Sequence, residues 1–327
     1  MQESCQEIYS RVLVFDEDPE VCARLKEFLT DNNLVGVRQT LESFRSDSRF
    51  RLDLGAAVIA EDYGGTGEGL ELALTLHELV RELPIFIRRE GDDDGVWADR
   101  YHQAIAGCFS IHDPDGLKSL VSEYLFDTDY PMELVRIMED VTERALASSF
   151  HDVGIEAACP YLVKDKTTTG TMVGLMPIET DWCRGYMLLQ SSESNLRPLV
   201  AAGHTGLERH ETDFRDLTGL LGEVCNMVWG GLKSRLLVGD GSDDNLGQRL
   251  QVPVTVTQTH EEMPFFLSFG TNRAQLCFRY VLNDPDGLHE PAFLHQSFIF
   301  NISWSPDRFR AREPIEDLVE EGELELL

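Results

Sequence analysis

Residues 11–18 read RVLVFDED, and this stretch decides how the first part of the chain is expected to fold. Its four consecutive apolar residues are too few for a helix and end at three acids, which predicts a short buried strand. The segment that follows, PEVCARLKEFLTDN (19–32), has the apolar spacing of an amphipathic helix. The sequence therefore opens with a strand followed directly by a helix.

The same alternation continues to about residue 124. Apolar runs predict further strands, namely LVGVRQ (34–39), AAVIA (56–60), PIFI (84–87) and GCFSI (107–111). Helical spacing recurs in GLELALTLHELVREL (69–83) and GLKSLVSEYL (116–125). Buried strands that alternate with helices predict a parallel sheet covered on both faces, which is a doubly wound α/β domain. Ligands of such domains gather at the carboxyl ends of the strands.

The second half of the chain has a different pattern. FDTDYP (126–131) is short and acidic and ends in proline, which indicates a linker. We therefore predict a first domain at 1–126, a linker at 127–131 and a second domain at 132–327. A long helix, PMELVRIMEDVTERALASSF, opens the second domain, and two later helices interrupt a series of strands. These strands, expected to pair mostly antiparallel in an α+β fold, are GTMVGLMPI, RGYMLLQ, QVPVTVTQ, FFLSFG, AQLCFRYVL and QSFIFNISW.

Composition limits the possible partners. The chain has 327 residues, with 58 acids against 28 Lys plus Arg and a formal net charge of −30. Such an acidic surface repels phosphate backbones and anionic lipid, so we expect neither nucleic acid nor a membrane as partner. The start lacks a signal-peptide pattern, and no apolar run approaches the ~20 residues of a membrane helix. Seven scattered cysteines without a CxxC motif indicate reduced thiols, so a cytoplasmic protein is expected.

Acids follow the ends of two predicted strands. Asp16 and Glu17 follow the first strand, and Glu61 follows AAVIA, with Gly69 eight residues later. This arrangement, over about residues 10–125, resembles the receiver domain of response regulators. In receivers an acidic pair ends the first strand and an aspartate that accepts a phosphoryl group ends the third. The resemblance places Glu61 at the acceptor position and implies a degenerate receiver pocket of Asp16, Glu17 and Glu61.

Three departures from the receiver pattern indicate a disabled switch. Glutamate at the acceptor position is one methylene longer than aspartate, which displaces its carboxylate from the in-line geometry of phosphoryl transfer. Arg88 or Arg89 stands near the place of a small hydroxyl residue, and the last strand, SIHD, has no lysine. We expect an arginine to reach Glu61, and Asp62 to point to the other side of the strand end. The acidic pocket leaves open a Mg²⁺ site, although a retained scaffold for docking or dimerisation is favoured.

The stretch GEVCNMVWGG (222–231) carries the polar residues of a late apolar-periodic helix. Glu223, Asn226 and Gly230 group on the outer face of a helical wheel, with Gly219 nearby. The opposite face is predicted to be the core side and consists of Leu217, Leu220, Leu221, Val224 and Val228. A glycine costs ~1 kcal/mol against alanine inside a helix, so these glycines need an explanation. Either another body approaches the outer face, or the helix packs closely on its own protein.

This stretch resembles the E-x-x-N helix of CheC/CheX/FliY-type phosphatases, which remove the phosphoryl group from CheY-like receivers. The match includes the glycine before Glu223, the apolar pair after Asn226 and the glycine four residues beyond it. The order of elements over about residues 132–305 agrees with it. The first helix of the second domain has no E-x-x-N, which favours the single-site CheX type and thereby implies a homodimer.

The resemblance also implies a mechanism. Asn226 would orient the attacking water, and Glu223 would contact the active-site lysine of a phosphorylated receiver, with Gly219 and Gly230 at the partner-binding surface. The protein would need no cofactor of its own, because Mg²⁺ is held in the partner's active site. No histidine spacing indicates a resident metal. The substrate is expected in trans, since Glu61 and the missing lysine disqualify the chain's own receiver. The alternative is a non-catalytic scaffold or sequestering protein built from two inactive signalling modules.

Overall fold

The structure is a computed structural model that describes most residues between 8 and 302. The described residues are 8–38, 40–41, 54–81, 83–90, 98–110, 112–126, 130–164, 171–179, 183–208, 212–236, 254–257, 274–284, 287 and 290–302. They form two compact units. The first is drawn from Met1–Thr128, Cys159–Thr167 and Phe266–Cys277, and the second from Asp129–Ala158, Thr168–Phe265 and Phe278–Leu327. The predicted strand FFLSFG lies outside the described residues.

The first unit contains a five-stranded parallel sheet. Its strands are β1 (Ser10–Phe15), β2 (Leu34–Val37), β3 (Leu54–Ala60), β4 (Ile85–Arg89) and β5 (Gly107–Ser110). They lie in the order β2-β1-β3-β4-β5, and each adjacent pair is parallel. The described helices are α1 (Pro19–Asp31), α2 (Glu68–Leu79), α3 (Asp99–His102) and α4 (Pro114–Tyr124). This strand order is that of flavodoxin-like doubly wound folds, so the predicted receiver-like α/β class is confirmed.

Alternating side chains of the central strands build one core on each face of this sheet. Leu13 and Phe15 of β1 pack in the cluster that contains the apolar residues of α2. Val12 and Val14 pack in the cluster that contains those of α1 and α4. β3, which lies beside β1, is buried along its whole length. Burial on both faces explains why these strands appear in the sequence as nearly unbroken apolar runs.

The first unit also includes residues from much later in the chain. β7 (Tyr161–Val163) pairs antiparallel with residues 275–277. The hydroxyl of Ser10 in β1 donates a buried hydrogen bond of 2.9 Å to the carbonyl of Leu162. Gly55 of β3 leaves room for Ser10, because a Cβ at this position would collide with the Ser10 hydroxyl. Sequence reasoning did not predict β7 or its place beside β1.

The second unit combines a mostly antiparallel sheet with three helices. Its strands are β6 (Gly154–Ala157), β8 (Met172–Glu179), β9 (Arg184–Ser191), β10 (Val254–Thr257), β12 (Ala292–Ile302) and the later part of β11 (Gln275–Asn283). Their order is β10-β8-β9-β12-β11-β6, with antiparallel pairing at β10–β8, β8–β9, β9–β12 and β11–β6. The helices are α5 (Met132–Ser149), α6 (Glu193–Ala202) and α7 (Phe214–Leu236). The predicted α+β class is confirmed, although β6 was not anticipated.

α7 packs against both α5 and the sheet of the second unit. Gly231 of α7 faces α5, where an added Cβ would lie 2.6 Å from Val141 Cγ1. Gly174 of β8 faces α7, where an added Cβ would lie 2.5 Å from Cys225 Sγ. Small residues at both contacts allow the backbones to approach closely. None of the described helices is long and apolar enough to cross a bilayer.

The cysteines differ from the sequence expectation at one position. Among the cysteines that the structure describes, Cys22, Cys108, Cys183, Cys225 and Cys277 are free thiols. Cys159 is disulfide-bonded, so the expectation that all seven are reduced is wrong there. The spacing of cysteines along the chain gives no sign of such a bond, because a disulfide depends on distances that the fold creates.

Candidate functional site

The outward face of α7 carries a continuous polar and glycine stripe. Glu223 and Asn226 are both exposed. Gly219 and Gly230, which are also exposed, lie one turn before and one turn after this pair. Residues three or four apart share a face of a helix, so the four positions form one line about 16 Å long. The structure therefore brings the predicted pair and both predicted flanking glycines onto one surface of the second unit.

The inward face of α7 fixes the direction of that stripe. The residues predicted to face the core are buried, namely Leu217, Leu220, Leu221, Val224 and Val228. Each contributes about 1.5–3 kcal/mol on full burial, so rotating the helix to hide the stripe would be costly. Trp229 is also buried, with the Lys233 ammonium 5.2 Å from its ring centroid. The bulky indole therefore does not stand over Glu223 and Asn226.

Polar contacts at both ends of α7 help to hold a helix that contains several glycines. The Asp213 carboxylate accepts hydrogen bonds from the backbone N–H groups of Arg215 and Asp216, at 2.7 and 3.1 Å. The Asp216 carboxylate accepts in turn from the N–H of Asp213 at 2.8 Å. These bonds satisfy donors that a helix start leaves open. Lys233 and Arg235 lie in the last turn, where positive charge complements the helix dipole.

The glycines of α7 fall into two kinds. A Cβ added at Gly219 or Gly230 would have nothing within 4 Å, so both positions face open space. A Cβ at Gly231 would instead press on Val141. Packing inside the second unit therefore explains Gly231 but not the two glycines of the stripe.

The side chains of the stripe offer hydrogen bonds rather than a nucleophile. Asn226 presents a carboxamide, which both donates and accepts, and Glu223 presents a carboxylate. Met227, with 37% of its surface exposed, lies beside Asn226 and adds an apolar contact. Cys225 faces the core, and burial raises the pKa of its thiol to about 12. A thiol with this pKa stays protonated near neutral pH and does not act as a nucleophile.

A second group of charged side chains lies at the carboxyl edge of the first sheet. Asp16 follows β1, and its side chain is fully buried. The guanidinium of Arg88, near the end of β4, lies against it, with 2.6 Å from Nε to Oδ2 and 3.5 Å from Nη2 to Oδ1. The backbone N–H of Asp18 also donates to Asp16 Oδ1 at 3.0 Å. Both carboxylate oxygens of Asp16 are thus engaged by donors of the first unit.

Two more acids at this edge pair with arginine. Arg89 Nε lies 3.4 Å from Glu61 Oε2, which agrees with the expectation that an arginine reaches Glu61. Asp62 Oδ1 lies 3.6 Å from Arg88 Nη2, so Asp62 and Asp16 share one guanidinium. Arg88 and Arg89 are adjacent in β4 and face opposite sides of the sheet, so Asp62 lies on the other side of the strand end from Glu61, as expected.

The structure divides the predicted receiver pocket between two arginines. Glu17, the remaining predicted member, is exposed. Among the residues that the structure describes, no three His, Cys, Asp or Glu side chains lie close enough to hold a metal ion. Sequence reasoning missed the pairing of Asp16 with Arg88. The available signal was the run IRRE, since a buried strand that ends in two arginines has to provide acids for them.

Comparisons with known proteins find likeness in structure but not in sequence. No family model and no curated protein matches the chain. The CheX chemotaxis protein of Desulfovibrio desulfuricans is 15% identical over 52% of this chain and 99% of its own, with a TM-score of 0.38. A CheC-like superfamily protein of Shewanella sp. PV-4 is 17% identical over 52% of this chain and 99% of its own, with a TM-score of 0.36.

A further solved structure covers a smaller part of the chain. It is a protein provisionally assigned as a response regulator from Chloroflexus aurantiacus J-10-fl. The identity is 16% over 36% of this chain and 97% of that protein, with a TM-score of 0.31. At these identities, the chemistry of the present protein has to be inferred from its own side chains.

Proposed function

We propose that the protein is a phosphatase of aspartyl phosphates that acts in trans on a phosphorylated CheY-like receiver. The observation that carries the proposal is the exposed stripe of α7, where a carboxylate and a carboxamide lie one turn apart between two glycines. An aspartyl phosphate is an activated acyl phosphate. Its hydrolysis therefore depends more on a well-placed water than on a strong base or a protein nucleophile.

Asn226 positions that water. Its carboxamide oxygen accepts a hydrogen bond from the water, and its NH₂ group donates to the attacking oxygen or to a phosphoryl oxygen. The water attacks phosphorus, the bond from phosphorus to the aspartyl oxygen breaks, and the aspartate leaves as a carboxylate. The phosphoryl group leaves as inorganic phosphate. Holding the reacting atoms in line can lower the barrier by several kcal/mol without any change in the chemistry of either group.

Glu223 fixes the register of the two proteins. It lies one turn before Asn226 on the same face, and no cation among the described residues pairs with it. Its carboxylate is therefore available to the lysine of a receiver's active site, through a charge-assisted hydrogen bond. Such a pair across an interface sets orientation and partner choice. The Mg²⁺ that the phosphorylated receiver holds beside its phosphoryl group arrives with the substrate.

Gly219 and Gly230 supply the clearance that this encounter needs. A receiver's phosphoryl group sits in a recess at the edge of its sheet, so the attacking helix has to approach that edge closely. Both glycines face open space within the second unit, and neither is required by its packing. The absence of side chains at these two positions lets the stripe reach a recessed group.

The substrate comes from another protein because the first unit lacks a usable acceptor. Glu61 occupies the position where a receiver carries its acceptor aspartate, and it is paired with Arg89. Asp16, which would have to help bind Mg²⁺, is buried against Arg88. These ion pairs support a degenerate receiver that takes no part in the chemistry.

The proposal is tested by following a phosphorylated receiver of the same organism, with Mg²⁺, in the presence of the full chain. We expect decay of the aspartyl phosphate to accelerate. Asn226→Ala should remove this acceleration, with a loss of about 100-fold or more. Glu223→Gln should mainly raise the receiver concentration needed for half-maximal rate, since it weakens docking rather than the attack of water.

Ser148→Ala is the matched control, because Ser148 is an exposed polar residue of the second unit that lies on α5 and not on α7. It should leave the rate unchanged, and the melting temperatures of all variants should agree with that of the unmodified protein. If the protein binds phosphorylated receivers but their decay does not change, the phosphatase proposal is wrong. The scaffold alternative would then describe the protein better.

A further inference from the structure

The geometry at the carboxyl edge of the first sheet points to Arg88 as a built-in cation. We infer that its guanidinium stands where a receiver pocket would hold Mg²⁺, and that the first unit therefore neither binds a divalent metal nor switches with it. This inference concerns the first unit alone and does not depend on the phosphatase proposal.

The carboxylate of Asp16 is buried and already engaged. Its side chain has no exposed surface, and its two oxygens already receive the Arg88 guanidinium and the N–H of Asp18. Mg²⁺ demands oxygen ligands at 2.0–2.1 Å in near-octahedral geometry and usually keeps several waters. A carboxylate that is closed off from solvent and occupied by a guanidinium does not fit a hydrated metal ion. The residues present in this pocket therefore disagree with a magnesium site.

Arg88 contacts two acids, Asp16 and Asp62. Asp16 follows β1 and Asp62 follows β3, and the guanidinium of Arg88 lies 2.6 Å from the first and 3.6 Å from the second. It thereby links acids at the ends of two adjacent strands, which is the place of a bound metal in a receiver. Only 5% of the Arg88 side chain is exposed. Arginine suits this role because it stays charged and because its planar fork can serve two acceptors.

Glu61, the acid at the acceptor position, is also paired with an arginine. Glu61 Oε2 lies 3.4 Å from Arg89 Nε, so the acceptor position has its own cation. Two consecutive residues of β4 thus neutralise acids from the ends of two neighbouring strands. Unlike a metal ion, a covalently attached cation cannot dissociate. The pocket consequently keeps one charge state whatever the supply of Mg²⁺ or of phosphoryl donors.

The test measures the melting temperature of the full chain with and without millimolar Mg²⁺. The unmodified protein should show no shift. Arg88→Met leaves Asp16 buried without its counter-charge, so the melting temperature should fall by roughly 10 °C. Millimolar Mg²⁺ should recover part of that loss, because the vacated space beside Asp16 and Asp62 then admits the metal. Direct binding of Mn²⁺, followed by electron paramagnetic resonance, should appear in this variant only.

Arg89→Met is the matched control, since it removes the neighbouring arginine and keeps the pair of Arg88 with Asp16. It should melt only slightly below the unmodified protein and show no response to Mg²⁺. If Arg88→Met fails to fold, Arg88→Lys keeps a charge at the site and should fold without binding Mn²⁺. A Mg²⁺-dependent shift or Mn²⁺ binding in the unmodified protein or in Arg88→Lys would overturn the inference. Unchanged melting of Arg88→Met would do so as well.

Discussion

Acidic side chains at the edge of the first sheet differ in burial and pairing from those on the outer face of α7. Asp16 is fully buried and engaged at both oxygens, whereas Glu223 is exposed and has no cation partner among the described residues. Burying a charge is costly unless it is paired and hydrogen-bonded, so the acids of the first sheet come with arginines. An acid that remains exposed beside an amide is free to meet another molecule. The difference separates charges that maintain a fold from charges that can act on a partner.

The glycines of the two units also differ, because some are required by packing and others are not. Gly69, at the start of α2, is required by the first unit, because a Cβ there would collide with the backbone carbonyl of Ala60. Gly219 and Gly230 face open space, and the second unit gains nothing from them. In the first unit a receiver-like glycine thus serves packing. On α7 two glycines reduce helix stability without serving packing, which is typical of a functional surface.

The largest expected effect concerns the buried pair of Asp16 and Arg88. Asp16→Ala leaves the Arg88 guanidinium buried without its main counter-charge, so we expect the free energy of unfolding to fall by about 3–5 kcal/mol. The exposed neighbour provides the control, and Glu17→Ala should change stability by no more than ~0.5 kcal/mol. Denaturant unfolding of both variants checks this. Equal effects from the two substitutions would mean that the buried pair does not stabilise the first unit.

The second-largest expected effect concerns the exposed stripe of α7. Gly230→Leu places a bulky side chain on the stripe at a position where an added Cβ meets nothing within 4 Å. We expect it to reduce the phosphatase rate about 100-fold, as misplacement of the reacting groups does, while the fold is kept. Steady-state rates with a phosphorylated receiver give the measurement. Ser148→Leu, at an exposed position of α5, is the control, and a similar loss there would argue against a specific approach through Gly230.

The smallest effect compares two adjacent glycines. Gly230→Ala should raise the free energy of unfolding by roughly 0.5–1 kcal/mol, because alanine is the better helix former and its methyl group meets nothing. Gly231→Ala should lower it, because the methyl group presses on Val141. Denaturant midpoints of the two variants are sufficient for the comparison. If both substitutions changed the free energy of unfolding in the same direction, Gly230 and Gly231 would not differ in packing as described.

Periodicity made most of the fold predictable from the sequence. Unbroken apolar runs indicated the buried parallel strands, and the 3.6-residue spacing of α7 assigned its two faces correctly. β6 and β7 were missed because they are short and, unlike the equally short β2 and β5, do not belong to a regular alternation of strands and helices. The partners of β7 are also remote in sequence, so no local feature indicates them.

The charged edge of the first sheet was predictable only in part. The run IRRE showed that arginines end β4, but not which acid each one would reach. That choice depends on the register of β3 against β4, which puts Asp62 on the side of Arg88 and Glu61 on the side of Arg89. Side-chain alternation separates the two pairs once the register is known, but the register joins strands that are apart in the sequence and no local pattern specifies it. The stripe of α7 was easier, because a regular helix fixes the relative directions of its residues from spacing alone.

The hydrogen bond from Ser10 to Leu162 has a consequence for biosynthesis. Its partners are 152 residues apart, and β7 in turn pairs with residues 275–277. A chain that emerges from the ribosome amino terminus first therefore cannot complete its amino-terminal unit until most of the sequence has been translated. An expression clone that stops after α4 would lack these contacts and leave the Ser10 hydroxyl without its acceptor. Such a fragment should need a separately supplied β7 peptide, or the complete coding sequence, to reach full stability.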